Sequence, residues 1–256
     1  TPGCGVFRDI EELPPGCCAR FGPAGLERRQ YWSLADREHT DSFEQTVETV
    51  RSLVTDAIRR PLVSDVPVGT FLSGGLDSSI ISAVADSQFR KEGKTLHTFS
   101  VDYRDNDRYF QASKFQPNSD ASYIRRMNES LGAVHHDVLL DTAELADALY
   151  AAVEARDLPG MADVDSSMLL FCKQIKEHVT VALSGECADE IFGGYPWYRD
   201  REIRERYGFP WAQSTDYRMG FLARAFSDID GAAYIDRRYR DTLAASSVLP
   251  GVTPEE

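Results

Sequence analysis

The segment Ser73-Gly74-Gly75-Leu76-Asp77-Ser78-Ser79 constrains the fold of this chain more than any other. It follows a β-rich apolar run, Val66 to Leu72, and precedes Ile80, Ile81, Val84 and Ala85 at helical spacing, so it reads as a strand, a glycine turn and a helix. The alternation then repeats. Leu96 to Val101, Val134 to Leu140 and Val179 to Leu183 read as strands, and Ser122 to Leu131, Ala143 to Ala155 and Ser166 to His178 as helices. An earlier stripe of Phe43, Val47, Val50, Val54 and Ile58 is also helical and ends at Pro61. Strands separated by helices predict an α/β fold, a parallel sheet with helices on both faces. Ligands of such sheets sit at the carboxyl ends of strands, where the strand order reverses.

The flanks read differently. Cys17 to Phe21 and Leu26 to Trp32 are two β-like runs split by Gly22-Pro23-Ala24-Gly25, which has hairpin-turn composition. Arg104 to Asn118 reads as a long polar loop, and from Tyr198 onward the chain becomes helical and rich in Arg and Asp.

Charge and cysteine usage narrow the function. With 28 Lys+Arg against 41 Asp+Glu the net charge is −13, which argues against a reader of nucleic acid, because counterion release rewards a basic face. No apolar run approaches the roughly 20 residues of a membrane span, and the first residues lack a signal peptide's basic start and apolar core, so the cytosol is the expected compartment. The 5 cysteines, Cys4, Cys17, Cys18, Cys172 and Cys187, form no CxxC pair and are expected to be reduced thiols.

In the glycine segment, Gly74 and Gly75 allow backbone conformations closed to other residues and bring N–H groups within reach of an anion, while the helix adds its positive end. Ser73, Ser78 and Ser79 are expected to donate to phosphate oxygens. Asp77 is the odd member. It either caps the helix or faces polyphosphate through an intervening Mg²⁺, and the glycines before it and serines after it favour the second. Gly75-Leu76 stands where a Walker loop needs Lys and Ser/Thr, no G-x-G-x-x-G follows a strand, and neither Ser73 nor Ser184 lies in G-x-S-x-G.

SGGLDSS resembles the PP-loop of the ATP pyrophosphatases, which cleave ATP between the α and β phosphates. A second segment, Ser184-Gly185-Glu186-Cys187-Ala188-Asp189-Glu190-Ile191-Phe192-Gly193-Gly194-Tyr195, resembles SGEGxDExFGGY of the glutamine-dependent asparagine synthetases. Gly185 permits close backbone approach to a flat ligand, and Glu186 and Asp189 can face Mg²⁺ or a substrate ammonium, although an acidic pair at a helix start also suits the helix dipole. The adjacent His135 and His136 point to opposite faces of a strand, which makes a metal site shared between them improbable and a structural role the expectation.

The resemblance implies a sheet of about five parallel strands. It implies ATP and Mg²⁺, with metal on Asp77 and Asp189, catalytic roles for Asp77, Glu186 and Asp189, and nucleotide contacts from Ser73, Gly74, Gly75, Ser78, Ser79, Ser184, Gly185 and Tyr195. Leu72 and Val101 fall where the family lines its adenine pocket. The stretch Asp157 to Met168 falls beside its substrate, with Asp165, Ser166 and Ser167 capping a helix or touching the amino acid. Residues 1–38 resemble the end of a glutaminase domain and 39–256 a synthetase domain, truncated at both ends. Cys4 does not match that domain's nucleophile. The family usually has Gly where this chain has Cys187, and the chain ends in VLPGVTPEE before a segment matching the family's downstream lysine.

The implied reaction is ATP-dependent amidation of aspartate to asparagine through β-aspartyl-AMP, with ammonia from glutamine and release of AMP and pyrophosphate. A related acyl-adenylating amidotransferase, or an incomplete nucleotide-binding module, is the alternative. A homodimer is one assembly open to such a chain, and neither nucleic acid nor membrane is an expected partner.

Overall fold

A computed structural model describes residues 5–35, 37–112, 118–222 and 224–245. Cys4, part of the Arg104 to Asn118 loop and the VLPGVTPEE end lie outside the described residues. In chain order the main elements are strands β1 (Cys17–Gly22) and β2 (Gly25–Gln30), helix α1 (Phe43–Arg59), β3 (Val68–Phe71), α2 (Leu76–Lys91), β4 (His97–Tyr103), α3 (Asn106–Tyr109) and α4 (Ala121–Ser130). They continue with β5 (Val134–Leu140), α5 (Thr142–Asp147), α6 (Leu149–Arg156), α7 (Ala162–Lys176), β6 (Val181–Leu183) and α8 (Ala188–Phe192). The helices after these are α9 (Pro196–Arg199), α10 (Arg201–Arg204), α11 (Thr215–Met219) and α12 (Gly231–Ala245).

One compact unit spans Ser42–Arg206. Its sheet has the order β5-β4-β3-β6 with every pairing parallel. Four strands are present among the described residues, against about five implied by the resemblance. Period-two alternation sends successive β3 side chains to opposite faces. Val68 joins Ala85 and Phe89 of α2 with Leu62 and Leu96 in one buried cluster, and Thr70 Oγ1 lies 2.8 Å from Ser82 Oγ of α2. On the other face Phe71 packs against the cluster of Phe99, Phe171, Ile175 and Val179, so α7 covers that side. Both faces are thereby closed by helices, which is the α/β arrangement expected from the alternation.

The strand order supplies the feature that matters for function. From β3 the chain winds outward through β4 to β5, then returns to place β6 on the other side of β3. The order therefore reverses between β3 and β6. The carboxyl end of β3 leads into the Ser73–Ser79 segment and that of β6 into the Ser184–Tyr195 segment.

Several boundaries move for local reasons. The single helix expected over Ala143 to Ala155 divides at Ala148 (φ −80°, ψ −9°) into α5 and α6, with a capping box at the start of α5 made by Asp141 and Glu144. α7 begins at Ala162, ahead of the expected Ser166, because the Asp165 carboxylate accepts the Met161 N–H at 2.7 Å. β4 runs on to Tyr103 where the apolar reading stops at Val101, since Asp102 and Tyr103 pair with Leu139 and Leu140 of β5. Within the long polar loop Asn106–Tyr109 forms a helical turn. The charged run after Tyr198 is broken into the short helices α9 and α10 at Asp200, whose carboxylate accepts the Glu202 N–H.

The other unit takes in the described residues of 5–41 and 207–245. The expected hairpin is present: β1 and β2 are antiparallel, in register from Cys17 opposite Gln30 to Gly22 opposite Gly25. Tyr207 donates to Asp236 at 2.7 Å and stacks edge-on against Tyr239, fastening the start of this stretch to α12. No helix among the described residues is long and apolar enough to cross a membrane. The four described cysteines, Cys17, Cys18, Cys172 and Cys187, are free thiols, and burial raises the pKa of Cys172.

Candidate functional site

The turn after β3 is built by its own hydroxyls. Ser73 Oγ and Ser78 Oγ are 3.0 Å apart, Ser78 Oγ donates to the Gly75 carbonyl at 3.2 Å, and Ser78 Oγ also accepts the Ser73 N–H at 3.2 Å. Of the three serines expected to donate to phosphate, Ser73 and Ser78 thus bond within the loop itself. Gly75 is the N-cap of α2 and no side chain caps the helix, so Asp77 is not a cap; it lies in the first turn of α2.

The two glycines do different work. Gly74 has φ +78°, and a Cβ there would lie 2.7 Å from Tyr123 Cβ and 2.8 Å from the Ile124 nitrogen, so both conformation and the approach of α4 require glycine. Gly75, at φ −68° and ψ 166°, is in extended backbone open to any residue, which corrects the expectation of special freedom at both positions.

Across the switch point, the second segment comes up against the first. A Cβ on Gly185 would lie 2.8 Å from Asp77 Cβ. Gly185 is therefore the contact at which the two segments close on each other, rather than solely a site of ligand approach. Together they enclose a cavity of about 250 Å³ lined by Phe71, Ser73, Gly75, Asp77, Ser78, Ser184, Gly185, Glu186, Cys187, Asp189 and Tyr195. Asp77, Glu186 and Asp189 bring three carboxylates to a lining that, among the described residues, holds no Lys or Arg. Such a cavity repels bare polyphosphate and offers the oxygen donors that a hard divalent cation takes.

Not every expected residue reaches this cavity. Gly74 and Ser79 do not line it. Leu72 is 1 % exposed, its N–H bound to the Phe99 carbonyl at 2.8 Å, and it lines neither this cavity nor the larger one next described. Val101 lines a cavity of about 590 Å³ with Asp102, Tyr103, Asp120, Arg125 and Asp137 among its polar neighbours. Sequence reasoning singles out only Val101 there. The others come from β4, β5 and the α4 region, and no local motif joins them.

Tyr195 donates to Glu190 at 3.0 Å and stacks on Trp197. The hydrogen bond to Glu190, burial, and the charges of Glu190, Asp189 and Glu186 push its pKa up to about 12. Asp165, offered as cap or substrate contact, accepts the Met161 N–H and pairs with Arg156 at 2.5 Å. Ser167 Oγ lies 2.7 Å from the Tyr103 hydroxyl, while Ser166 donates to the Ala162 carbonyl.

Cys187 precedes α8 at φ +71°, ψ 2° and is exposed. The left-handed region disfavours a side chain by ~1–2 kcal/mol, while glycine adds ~0.4–1 kcal/mol of unfolded-state entropy. Cys187→Gly is therefore expected to stabilise the chain by about 0.5–1 kcal/mol in urea unfolding. A fall in stability would mean that the thiol makes a contact worth more than the strain.

Fold and site together define an α/β domain with an acidic cavity at a topological switch point, between a glycine turn and a second loop. The asparagine synthase family model matches residues 49–251. The chain is 51% identical over 255 residues to asparagine synthetase [glutamine-hydrolyzing] 3 of Bacillus subtilis (strain 168), covering 99% of this chain and 41% of that protein. It is 33% identical to asparagine synthetase [glutamine-hydrolyzing] 1 of the same organism (75% of this chain, 28% of that one) and 32% to asparagine synthetase B [glutamine-hydrolyzing] of Escherichia coli (strain K12) (75% and 35%). The chain belongs to the asparagine synthase family. It spans about two fifths of the length of the first of these relatives and less of the others.

Proposed function

We propose that this chain carries the ATP-dependent half of asparagine synthesis: activation of the aspartate side chain as β-aspartyl-AMP, followed by its amidation. The observation that carries the reading is the meeting of the glycine turn and the Ser184–Tyr195 segment in one acidic cavity, with Gly185 against Asp77, in a member of this family.

A carboxylate is not amidated directly in water because its leaving group is oxide. Adenylation replaces that group with AMP. The aspartate carboxylate oxygen attacks the α phosphorus, the bond to pyrophosphate breaks, and ammonia then displaces AMP at the acyl carbon and loses a proton. The backbone N–H groups of the glycine turn and the start of α2 hold the pyrophosphate, and Ser184 and Gly185 border the nucleotide. Glu186 faces the ammonium or the metal. Tyr195 offers a hydrogen-bonding group without charge. Asp77 and Asp189 are the donors that would hold Mg²⁺, which when bound supplies positive charge between polyphosphate and the carboxylates. Leu72 and Val101 belong to the adenine side in this reading, although Leu72 is buried as the site stands. Residues 1–38 are read as the end of a glutaminase domain that delivers ammonia, and 39–256 as the synthetase domain.

Incubation with Mg·ATP and ammonium, with and without aspartate, followed by mass spectrometry, tests the reading. Aspartate-dependent AMP, pyrophosphate and asparagine are expected. ADP in place of AMP would overturn it, and turnover with another carboxylate in place of aspartate would move it to the related acyl-adenylating amidotransferases.

A further inference from the structure

Apart from the cavity, at the opposite end of the sheet, three histidines distant in sequence converge. His97 opens β4, and its side chain shares a face with Phe99, two residues on. His136 of β5 stands opposite Phe99 in the register and so on that same face. His178 follows the end of α7, its N–H bound to the Ile175 carbonyl at 2.9 Å, and drops onto the pair. His97 Nδ1 and His136 Nε2 are 2.8 Å apart, the His136 and His178 ring centroids are 4.0 Å apart, and one nitrogen from each of the three lies within 4.8 Å of the others.

We propose that His97, His136 and His178 form a binding site for a divalent transition-metal ion of the imidazole-binding kind, with Zn²⁺ as the ion whose coordination fits. Among the described residues the group contains imidazoles alone, with no carboxylate or thiol. That donor set selects Zn²⁺, Ni²⁺ or Cu²⁺ and rejects Mg²⁺ and Ca²⁺, which take oxygen. Three His with a water as fourth ligand satisfy a tetrahedral Zn²⁺. Ligands around such an ion sit at ~2.0–2.1 Å from it, so binding exchanges the 2.8 Å contact between His97 and His136 for the ion, with the His178 nitrogen closing in from within 4.8 Å. His178 is exposed and supplies both freedom to rotate and a path of entry, while His97 and His136 are half-buried on strands. His135, one residue from His136, faces the other way and bonds to Thr98 and Ser100, so it is not part of the site.

Such an ion ties the carboxyl end of α7 to β4 and β5. The other end of α7 carries Ser167, bonded to Tyr103, so the clamp holds a helix that reaches the carboxyl side of the sheet. The inference is independent of the proposed reaction.

The test titrates the chelator-treated chain with ZnCl₂ by calorimetry in the presence of excess Mg²⁺, and with CoCl₂ as a spectroscopic probe. About one equivalent of Zn²⁺ is expected to bind. Co²⁺ should give the visible bands of a tetrahedral site without thiolate charge-transfer absorption, which excludes the cysteines as ligands. Loss of outer-shell support alone weakens metal sites ~10–100-fold, so His178→Ala, a change at an exposed residue, is expected to weaken binding by at least ~100-fold. His136→Gln should do the same, and His39→Ala should leave binding unchanged. Absence of stoichiometric binding at micromolar Zn²⁺, thiolate bands with Co²⁺, or binding that survives His178→Ala would overturn the proposal.

Discussion

Asp77→Ala is expected to remove aspartate-dependent AMP formation, by ~10³-fold or more, while leaving the domain folded. The two halves of that statement have separate grounds. α2 takes its N-cap from Gly75 and no side chain caps it, so the carboxylate is not needed to start the helix. Its loss removes only a favourable charge near the helix N-terminus, worth ~0.3–1 kcal/mol. In the proposed reaction, by contrast, Asp77 is one of three carboxylates in a lining without Lys or Arg among the described residues, and it meets Gly185 of the second segment. Removing it takes away an oxygen donor for the cation that must lie between polyphosphate and protein. Urea unfolding and product analysis with ammonium as nitrogen source check the two halves in one preparation. Unchanged turnover would remove Asp77 from the mechanism.

Gly74→Ala is expected to destabilise the domain by about 3 kcal/mol or more, whatever reaction the site performs. The left-handed φ of +78° penalises any L side chain by ~1–2 kcal/mol. The added Cβ then meets Tyr123 Cβ at 2.7 Å and the Ile124 backbone nitrogen at 2.8 Å. A helix backbone cannot swing aside as a side-chain tip can, and overpacking of this kind costs ~1–3 kcal/mol. For a domain whose total stability is ~5–15 kcal/mol the loss is large. Gly75→Ala is the matched control. Its backbone is extended and its Cβ would meet only Ser73 Oγ, at 3.3 Å, so a change under about 1 kcal/mol is expected in the same urea titration. Equal effects at the two positions would mean that the turn does not hold Gly74 in the left-handed region.

The sequence of this chain already carried its α/β alternation, its hairpin, its glycine turn and the motif that resembles the asparagine synthetases, because each is a local pattern. A strand, a turn and a helix are written in neighbouring residues, and a motif such as SGGLDSS is read without knowing what it packs against. Helix breaks that depend on a single cap, such as Asp141 starting α5 or Asp165 drawing the start of α7 forward to Ala162, were less legible, since an acidic residue at either point also fits a helix interior.

Contacts between distant residues were settled by the strand order. Placing β6 beside β3 brings Gly185 against Asp77 and turns two motifs into one cavity. Val101 lines a cavity that shares no lining residue with that one, and Leu72 is buried with its N–H bound to the Phe99 carbonyl of β4. His97, His136 and His178 likewise meet only because β4 and β5 pair in register and α7 ends above them. The physical reason is the same in each case. Hydrophobic period and turn chemistry act over a few residues, whereas the partners of a buried face are chosen by packing and strand register across the whole domain.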